Sequence, residues 1–458
     1  MLRSLAATVR TAASPVNAAR PRATAAAASL GASVSHRRWV SSSVLSAATA
    51  APDASAPVTA DSDTFPRFPG ALNSQYTSHL ALIQQEGVLP TYRVLDKDGE
   101  LVDASQDPHV DQAWCVNAYQ HMLTLNAMDL ILYEAQRQGR ISFYMTSYGE
   151  EATHMGSAAA LSADDVVLGQ YREAGVLMYR GFTIDEFMNQ CYSNALDYGK
   201  GRQMPVHYGS AKHNFQTISS PLGTQLPQAV GVAYALKRAA KPNVAICYFG
   251  EGAASEGDFH AALNMASTTK APVIFFCRNN GFAISTPVSD QYAGDGIAAR
   301  GVGYGMATIR VDGNDVFAVY NATRAAREYA VRESKPVLVE AMTYRVSHHS
   351  TSDDSSAYRS KREVEDWKVR DNPVARFRKY MESRGWWDQA QEDAFKKDVR
   401  KRVLKSFAKA ETVEKPALAE LFTDVYEELT PILKQQQEEL HELMKAHPDH
   451  YSTAGYKQ

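Results

Sequence analysis

The side chains with the clearest chemistry are the carboxylate of Glu251, set between Gly250 and Gly252, and the amide of Asn280, second of the pair Asn279-Asn280. The first group closes an apolar run that starts at Ala245, and the second closes one that starts at Val273. A strand ending in Gly-Glu-Gly with a helix beginning beyond it presents free backbone N–H groups and the positive end of a helix dipole, which together suit a phosphate. The glycines allow close approach. A carboxylate and an amide at neighbouring strand ends could hold a magnesium ion that also takes oxygens from a diphosphate, since magnesium prefers oxygen ligands and bridges protein to phosphate. Taken alone, Gly-Glu-Gly is equally a tight strand-to-helix turn. The span from Gly250 to Asn280, across an expected helix and strand, is a far more specific signal. A dinucleotide site is disfavoured, because Gly250-Glu-Gly-Ala-Ala-Ser lacks the third glycine of that fingerprint and no ribose-binding acid follows.

These residues need a scaffold that brings strand ends together. Short apolar runs rich in β-branched residues read as strands over residues 166–168, 244–249, 273–276, 308–311 and 337–342. Helical patterns separate them: one from Trp114 through Leu123, Met128, Ile131, Leu132 and Ala135, others over residues 259–268 and 316–332. The alternation implies an α/β fold, a parallel sheet with helices on both faces, over residues 112–361. Residues 53–111, rich in Pro, Ser, Gln and Asp, read as an extended arm of the kind that wraps a neighbour, and residues 362–458 as a C-terminal helical region.

Composition narrows the function further. With 45% hydrophobic and 22% charged residues the chain is globular in type, and no apolar run approaches the roughly 20 residues of a membrane span. Its four cysteines lie apart with no CxxC pair, so neither a disulfide framework nor a zinc cage is expected. Residues 1–52 contain no Asp or Glu but carry Arg3, Arg10, Arg20, Arg22, Arg37 and Arg38 among Ala and Ser, the signature of a mitochondrial transit peptide. Without those six arginines, 48 basic residues become 42 against 51 acidic, a net charge near −9, which argues against a nucleic-acid partner.

The span Gly250-Glu251-Gly252 to Asn279-Asn280 is similar to the thiamine diphosphate motif. Tyr148-Gly-Glu-Glu, Gly169-Gln-Tyr-Arg-Glu-Ala-Gly, Ile218-Ser-Ser-Pro-Leu-Gly-Thr-Gln and His348-His-Ser-Thr-Ser-Asp-Asp-Ser-Ser further resemble the alpha chains of the branched-chain 2-oxo acid dehydrogenases. The resemblance runs from about Phe65 to Tyr451. It implies a thiamine-diphosphate-binding fold and magnesium held by Glu251, Asn280 and the carbonyl of Phe282. Tyr is usual where Phe282 stands, but a carbonyl ligand does not depend on the side chain. The diphosphate is expected on Tyr171, Arg172, Arg278 and His349, with Gly252 and Ala253 as the helix N-terminus. Ser220 would contact the cofactor and Leu222 hold it bent. Ser219, Pro221, Thr224 and Gln225 resemble a potassium site. His348 and His349 are adjacent at the end of an expected strand, so only one can enter the site; by resemblance it is His349, which would also assist proton transfer.

What the resemblance implies for activity is decarboxylation of a 2-oxo acid and transfer of the acyl group to a lipoyl-bearing acyltransferase in the mitochondrial matrix. The carboxylate that activates the cofactor belongs to a beta chain in this family, so a heterotetramer of two alpha and two beta chains is expected. Ser350 and Ser360 match sites at which a kinase and a phosphatase regulate the family, in a Ser-rich run that reads as a mobile loop. The nearest alternative is the pyruvate dehydrogenase alpha chain, whose usual Gly-Asp-Gly contrasts with Gly250-Glu-Gly. A second is a catalytically silent subunit, against which the retained Glu251, Asn280, Arg172 and His349 stand.

Overall fold

A computed structural model describes residues 79–82 and 88–457. The expected transit peptide and the first part of the arm lie outside these residues. The described residues from 88 onward form one compact unit, built on a six-stranded sheet in which every neighbouring pair is parallel. Its strands are β1 (Val166–Leu168), β2 (Phe215–Gln216), β3 (Ala245–Gly250), β4 (Val273–Asn279), β7 (Ala307–Asp312) and β8 (Val337–Met342), in the spatial order β2-β1-β3-β4-β8-β7. A two-stranded antiparallel hairpin, β5 (Phe282–Ala283) with β6 (Thr286–Pro287), follows β4 directly. The expected strands are all present, within a few residues at their ends.

Alternation along the two central strands explains why they sit in the middle. Ile246 and Tyr248 of β3, with Ile274 and Phe276 of β4, join one apolar core, whereas Cys247, Phe249, Phe275 and Cys277 join another. Successive side chains of a strand point to opposite faces, so a strand apolar at every position must be covered twice. Helices Gln112–Arg137, Glu151–Ala159 and Val316–Glu333 contribute to the first core, and helices Gln225–Arg238 and Gly257–Thr269 to the second. Asp111 caps the first of these, accepting from Trp114 N at 2.8 Å, which ends the preceding extended segment where the apolar periodicity begins.

From Tyr92 the arm packs on its own chain. Tyr92 bridges to Val311 on the outer strand β7, and Val94 and Leu95, both fully buried, donate their N–H groups to Asp315. The C-terminal region is helical as expected. Phe377, Met381, Val399, Val403 and Phe407 enter the first core, whereas helix Pro431–Ala446 buries none of its residues. No described helix is long and apolar enough to cross a membrane, and all four cysteines are buried and unpaired.

Candidate active site

Strand order reverses direction beside β1: from β1 the chain goes outward to β2, then returns across β1 to β3. Ligands of open parallel sheets gather at the carboxyl ends of strands next to such a reversal. Tyr171 and Arg172 follow β1, Glu251 and Gly252 follow β3, Arg278 and Asn280 close β4, and Arg345 and His349 lie beyond β8. All line one cavity of about 430 Å³, together with Ser220, Leu222, Ala253 and Phe282. Pairing of Gly250 with Arg278 in the parallel register sets Glu251 and Asn280 side by side. Asn280 N donates to Glu251 Oε2 at 3.4 Å.

Buried charge is balanced in an ordered array. Arg278 is 2% exposed and pairs with two fully buried carboxylates, Glu150 through Nη1 and Glu173 through Nη2 at 2.6 Å. Arg172 Nε lies 3.7 Å from Glu150, and Arg172 also donates to the carbonyls of Thr146 and His349. Burial alone would raise the Glu150 carboxyl, but the Arg278 and Arg172 guanidinium groups outweigh it and bring it down to about 2. Glu173 accepts from the N–H groups of Gln170 and Tyr171, which holds the turn after β1. Gln170 in turn accepts from Gly250 N at 2.8 Å, tying that turn to the end of β3.

Glu251 is the exception to this balance. It is 1% exposed, its Oε1 is buried with no hydrogen-bond donor, and burial followed by the charge of Glu150 raises its carboxyl. A buried carboxylate oxygen without a partner is costly unless a cation supplies one. Asn280 directs its amide nitrogen to Glu150 at 2.8 Å, and its carbonyl oxygen accepts from Phe282 N at 3.3 Å; the Phe282 carbonyl accepts a 3.4 Å bond from Arg345. These three oxygens fit a magnesium ion completed by a diphosphate. Among the described residues no group of three or more His, Cys, Asp or Glu could hold a metal ion.

Gly252 is required by crowding. A Cβ there would stand 2.6 Å from the Ala283 side chain, so the β5–β6 hairpin closes over the loop only because position 252 has none. The loop runs into a 3-10 turn, Ala253–Ser255, before helix Gly257–Thr269. The N–H groups nearest β3 therefore belong to that turn rather than to the α-helix.

The four residues expected at a potassium site lie together where the chain enters helix Gln225–Arg238. Thr224 donates to the Pro221 carbonyl at 3.0 Å, Gln225 is buried with its Nε2 on the Tyr248 carbonyl, and Ser219 and Pro221 are exposed. Their oxygens are of the right type, but none is buried without a partner as Glu251 Oε1 is. Ser220 meets His207 Nε2 at 2.5 Å.

The two histidines do not end a strand. β8 stops at Met342, because the chain then leaves the sheet to pair with the Tyr148 segment, Val346 N donating to Tyr148 O at 3.1 Å. His349 still enters the cavity, while His348 turns away and accepts from Ser355 N at 2.9 Å. Nor is the Ser-rich run loosely held. Ser350 is only 7% exposed, Thr351 exchanges bonds with Tyr144, and Arg359 holds the carbonyls of Arg345 and Ser347. Ser360 is exposed and caps helix Lys361–Arg370. Sequence reasoning overlooked Glu150, Glu173, Gln170, His207 and Arg345. The strand-end rule applied to β8 as it was to β3 and β4 would have reached Arg345.

A family model described as the dehydrogenase E1 component matches residues 119–419. The chain is 59% identical to the mitochondrial 2-oxoisovalerate dehydrogenase subunit alpha of Bos taurus over 85% of its own length and 86% of the relative. It is also 59% identical to that of Homo sapiens, over 85% and 88%, and 54% identical to subunit alpha 1 of Arabidopsis thaliana, over 84% and 82%. With the match spanning the sheet, the cavity and most of the helices around them, the chain belongs to the dehydrogenase E1 component family, in company with these alpha subunits.

Proposed function

We propose that this cavity holds thiamine diphosphate with magnesium, and that the chain works in the mitochondrial matrix as the alpha subunit that decarboxylates branched-chain 2-oxo acids. The observation that carries the reading is the orphaned oxygen of Glu251, set beside Asn280 in a cavity that two buried arginines also line. Glu251, Asn280 and the Phe282 carbonyl would hold the metal. Arg172, Arg278, Tyr171 and His349 would receive the diphosphate, with Gly252 and Ala253 offering backbone N–H groups. Ser219, Pro221, Thr224 and Gln225 offer oxygens to a potassium ion that steadies the loop carrying Ser220 and Leu222.

When bound, thiamine diphosphate supplies the nucleophile and the electron sink for losing carbon dioxide from a 2-oxo acid. The protein's task is to bind, orient and exclude water. Leu222, with Phe143, Met145 and Val206, gives the cavity an apolar wall, which favours the uncharged parts of cofactor and substrate. His349 can donate a hydrogen bond and move a proton as the acyl group leaves for the lipoyl group of the acyltransferase. The carboxylate that activates the cofactor would come, as the family resemblance implies, from a beta chain, in a tetramer of two alpha and two beta chains. A kinase and a phosphatase acting at Ser350 and Ser360 would set the fraction active.

Coexpression with a beta chain tests this. The assembled tetramer is expected to decarboxylate 3-methyl-2-oxobutanoate in preference to pyruvate, and the purified alpha chain to be inactive alone. Replacing Glu251 by Ala should abolish magnesium-dependent cofactor binding in calorimetry; unchanged affinity would sink the metal assignment.

A further inference from the structure

We infer that Glu150 is a positioning residue whose single carboxylate fixes the spacing of Arg172, Arg278 and Asn280, the groups that receive the cofactor's diphosphate and metal. The inference rests on the cofactor reading above and concerns a residue to which that reading gave no part. Glu150 is fully buried. One of its oxygens pairs with Arg278 Nη1; the other accepts from Asn280 Nδ2 at 2.8 Å and stands 3.7 Å from Arg172 Nε. Those three partners come from two segments, Arg172 from the turn after β1 and Arg278 and Asn280 from the end of β4, which no strand pairing joins.

The backbone beneath Glu150 is itself pinned. Gly149 takes φ +97° where a Cβ would collide with the Tyr344 carbonyl, and its own carbonyl accepts from Thr343 Oγ1 at 2.8 Å. Tyr148 O accepts from Val346 N. The carboxylate therefore projects from a base anchored on the chain beyond β8. His154, one helical turn along, is fully buried and gives the carboxylate no hydrogen bond.

Two guanidinium groups, each 2% exposed, repel one another in a poorly solvated place and stay close only around an anion. The same carboxylate holds the Asn280 amide by its nitrogen, so that the amide oxygen, which accepts from Phe282 N at 3.3 Å, keeps a second lone pair for the metal. Electrostatics and positioning predict opposite outcomes here. As a bare negative charge, Glu150 opposes a diphosphate, and neutralising it would tighten cofactor binding. As the group that sets the spacing, its neutralisation loosens binding, because a glutamine has one acceptor oxygen where two are in use.

The experiment is Glu150→Gln in the full tetramer with a beta chain, stripped of cofactor and titrated calorimetrically with thiamine diphosphate at fixed magnesium, then with magnesium at fixed thiamine diphosphate. Both dissociation constants should rise by about tenfold or more, while kcat at saturating cofactor falls by less than about threefold. Affinity equal to or tighter than the parent's overturns the inference. A parent tetramer that does not bind thiamine diphosphate overturns the cofactor reading instead. Should Glu150→Gln fail to assemble, Glu150→Asp keeps the charge but withdraws it by one methylene. The same weakening is expected there, and unchanged affinity overturns the inference equally.

Discussion

Arg345 Nη1 donates to His349 Nδ1 at 3.2 Å. A guanidinium has no acceptor, so Nδ1 is the bare nitrogen of the ring and the proton of neutral His349 sits on Nε2. Burial first, then the charges of Arg172 and Arg345, depress this histidine to about 3. His349 thus faces the cavity as a neutral ring rather than as a cation.

Replacing Arg345 by Leu should release that constraint. The parent keeps His349 neutral across pH 6 to 8, whereas in the variant it moves toward its ordinary value of 6.5 and gains a proton as the solution is acidified. Turnover of the tetramer should fall by about 10- to 100-fold, and proportionally further at pH 6 than at pH 8. A pH–rate profile parallel to the parent's would refute the role given to the arginine.

Gly252 can be probed by size. Gly252→Val introduces a branched side chain where even a Cβ lies 2.6 Å from Ala283, so the β5–β6 hairpin must move and carry the Phe282 carbonyl with it. Cofactor affinity should drop by about tenfold or more and the melting temperature by a few degrees. Gly252→Ala should lie between variant and parent.

Ser350→Glu places a charge at a position only 7% exposed, near Asp353, which accepts from His349 N at 2.7 Å. The like charges and the cost of burying a carboxylate should open the segment, speed its proteolysis and reduce lipoyl-dependent turnover by about 10-fold or more. Ser360→Glu, at an exposed helix start, should do much less. A Ser350→Glu tetramer with parental turnover and parental protease resistance would rule out the switch.

Glu151 gives a prediction about pH and stability. Burial raises its carboxyl from 4.5 to about 8, so the folded protein prefers it neutral. Its contribution is complete below about pH 4.5, where the group is neutral folded or unfolded, and is lost as pH rises through about 8. The slope between those limits is up to about 1.4 kcal/mol per pH unit. Glu151→Gln stays neutral and keeps an acceptor for Gly149 N. The melting temperature of the variant, relative to the parent, should climb from pH 5 to 8 and then level off. A constant difference between the two curves would show that Glu151 is ionised in the fold.

The order of strands and helices was legible because it rests on local pattern: β3 and β4 are apolar at nearly every position, and helix Val316–Glu333 carries apolar residues at helical spacing behind the capping Asp315. Glu251 and Asn280 were legible for the same reason, each ending an apolar run. By contrast the run from Ser350 to Ser360 reads as mobile from its composition, yet Ser350 is buried, because its tethers, Tyr144 and Arg359, act through backbone groups that composition does not report. His348 and His349 were expected at a strand end, and only the pairing of Val346 with Tyr148 moved them into a loop.

The sequence by itself determined which residue types stand at the ends of which strands, since periodicity and turn chemistry are properties of neighbours in the chain. The tertiary structure alone decided which charges meet. Glu150 and Glu173 carry no local signal, and their partners Arg278 and Asn280 reach them only once strands distant in sequence are set side by side. A buried ion pair is fixed by desolvation and distance in space, and neither is written in the order of residues.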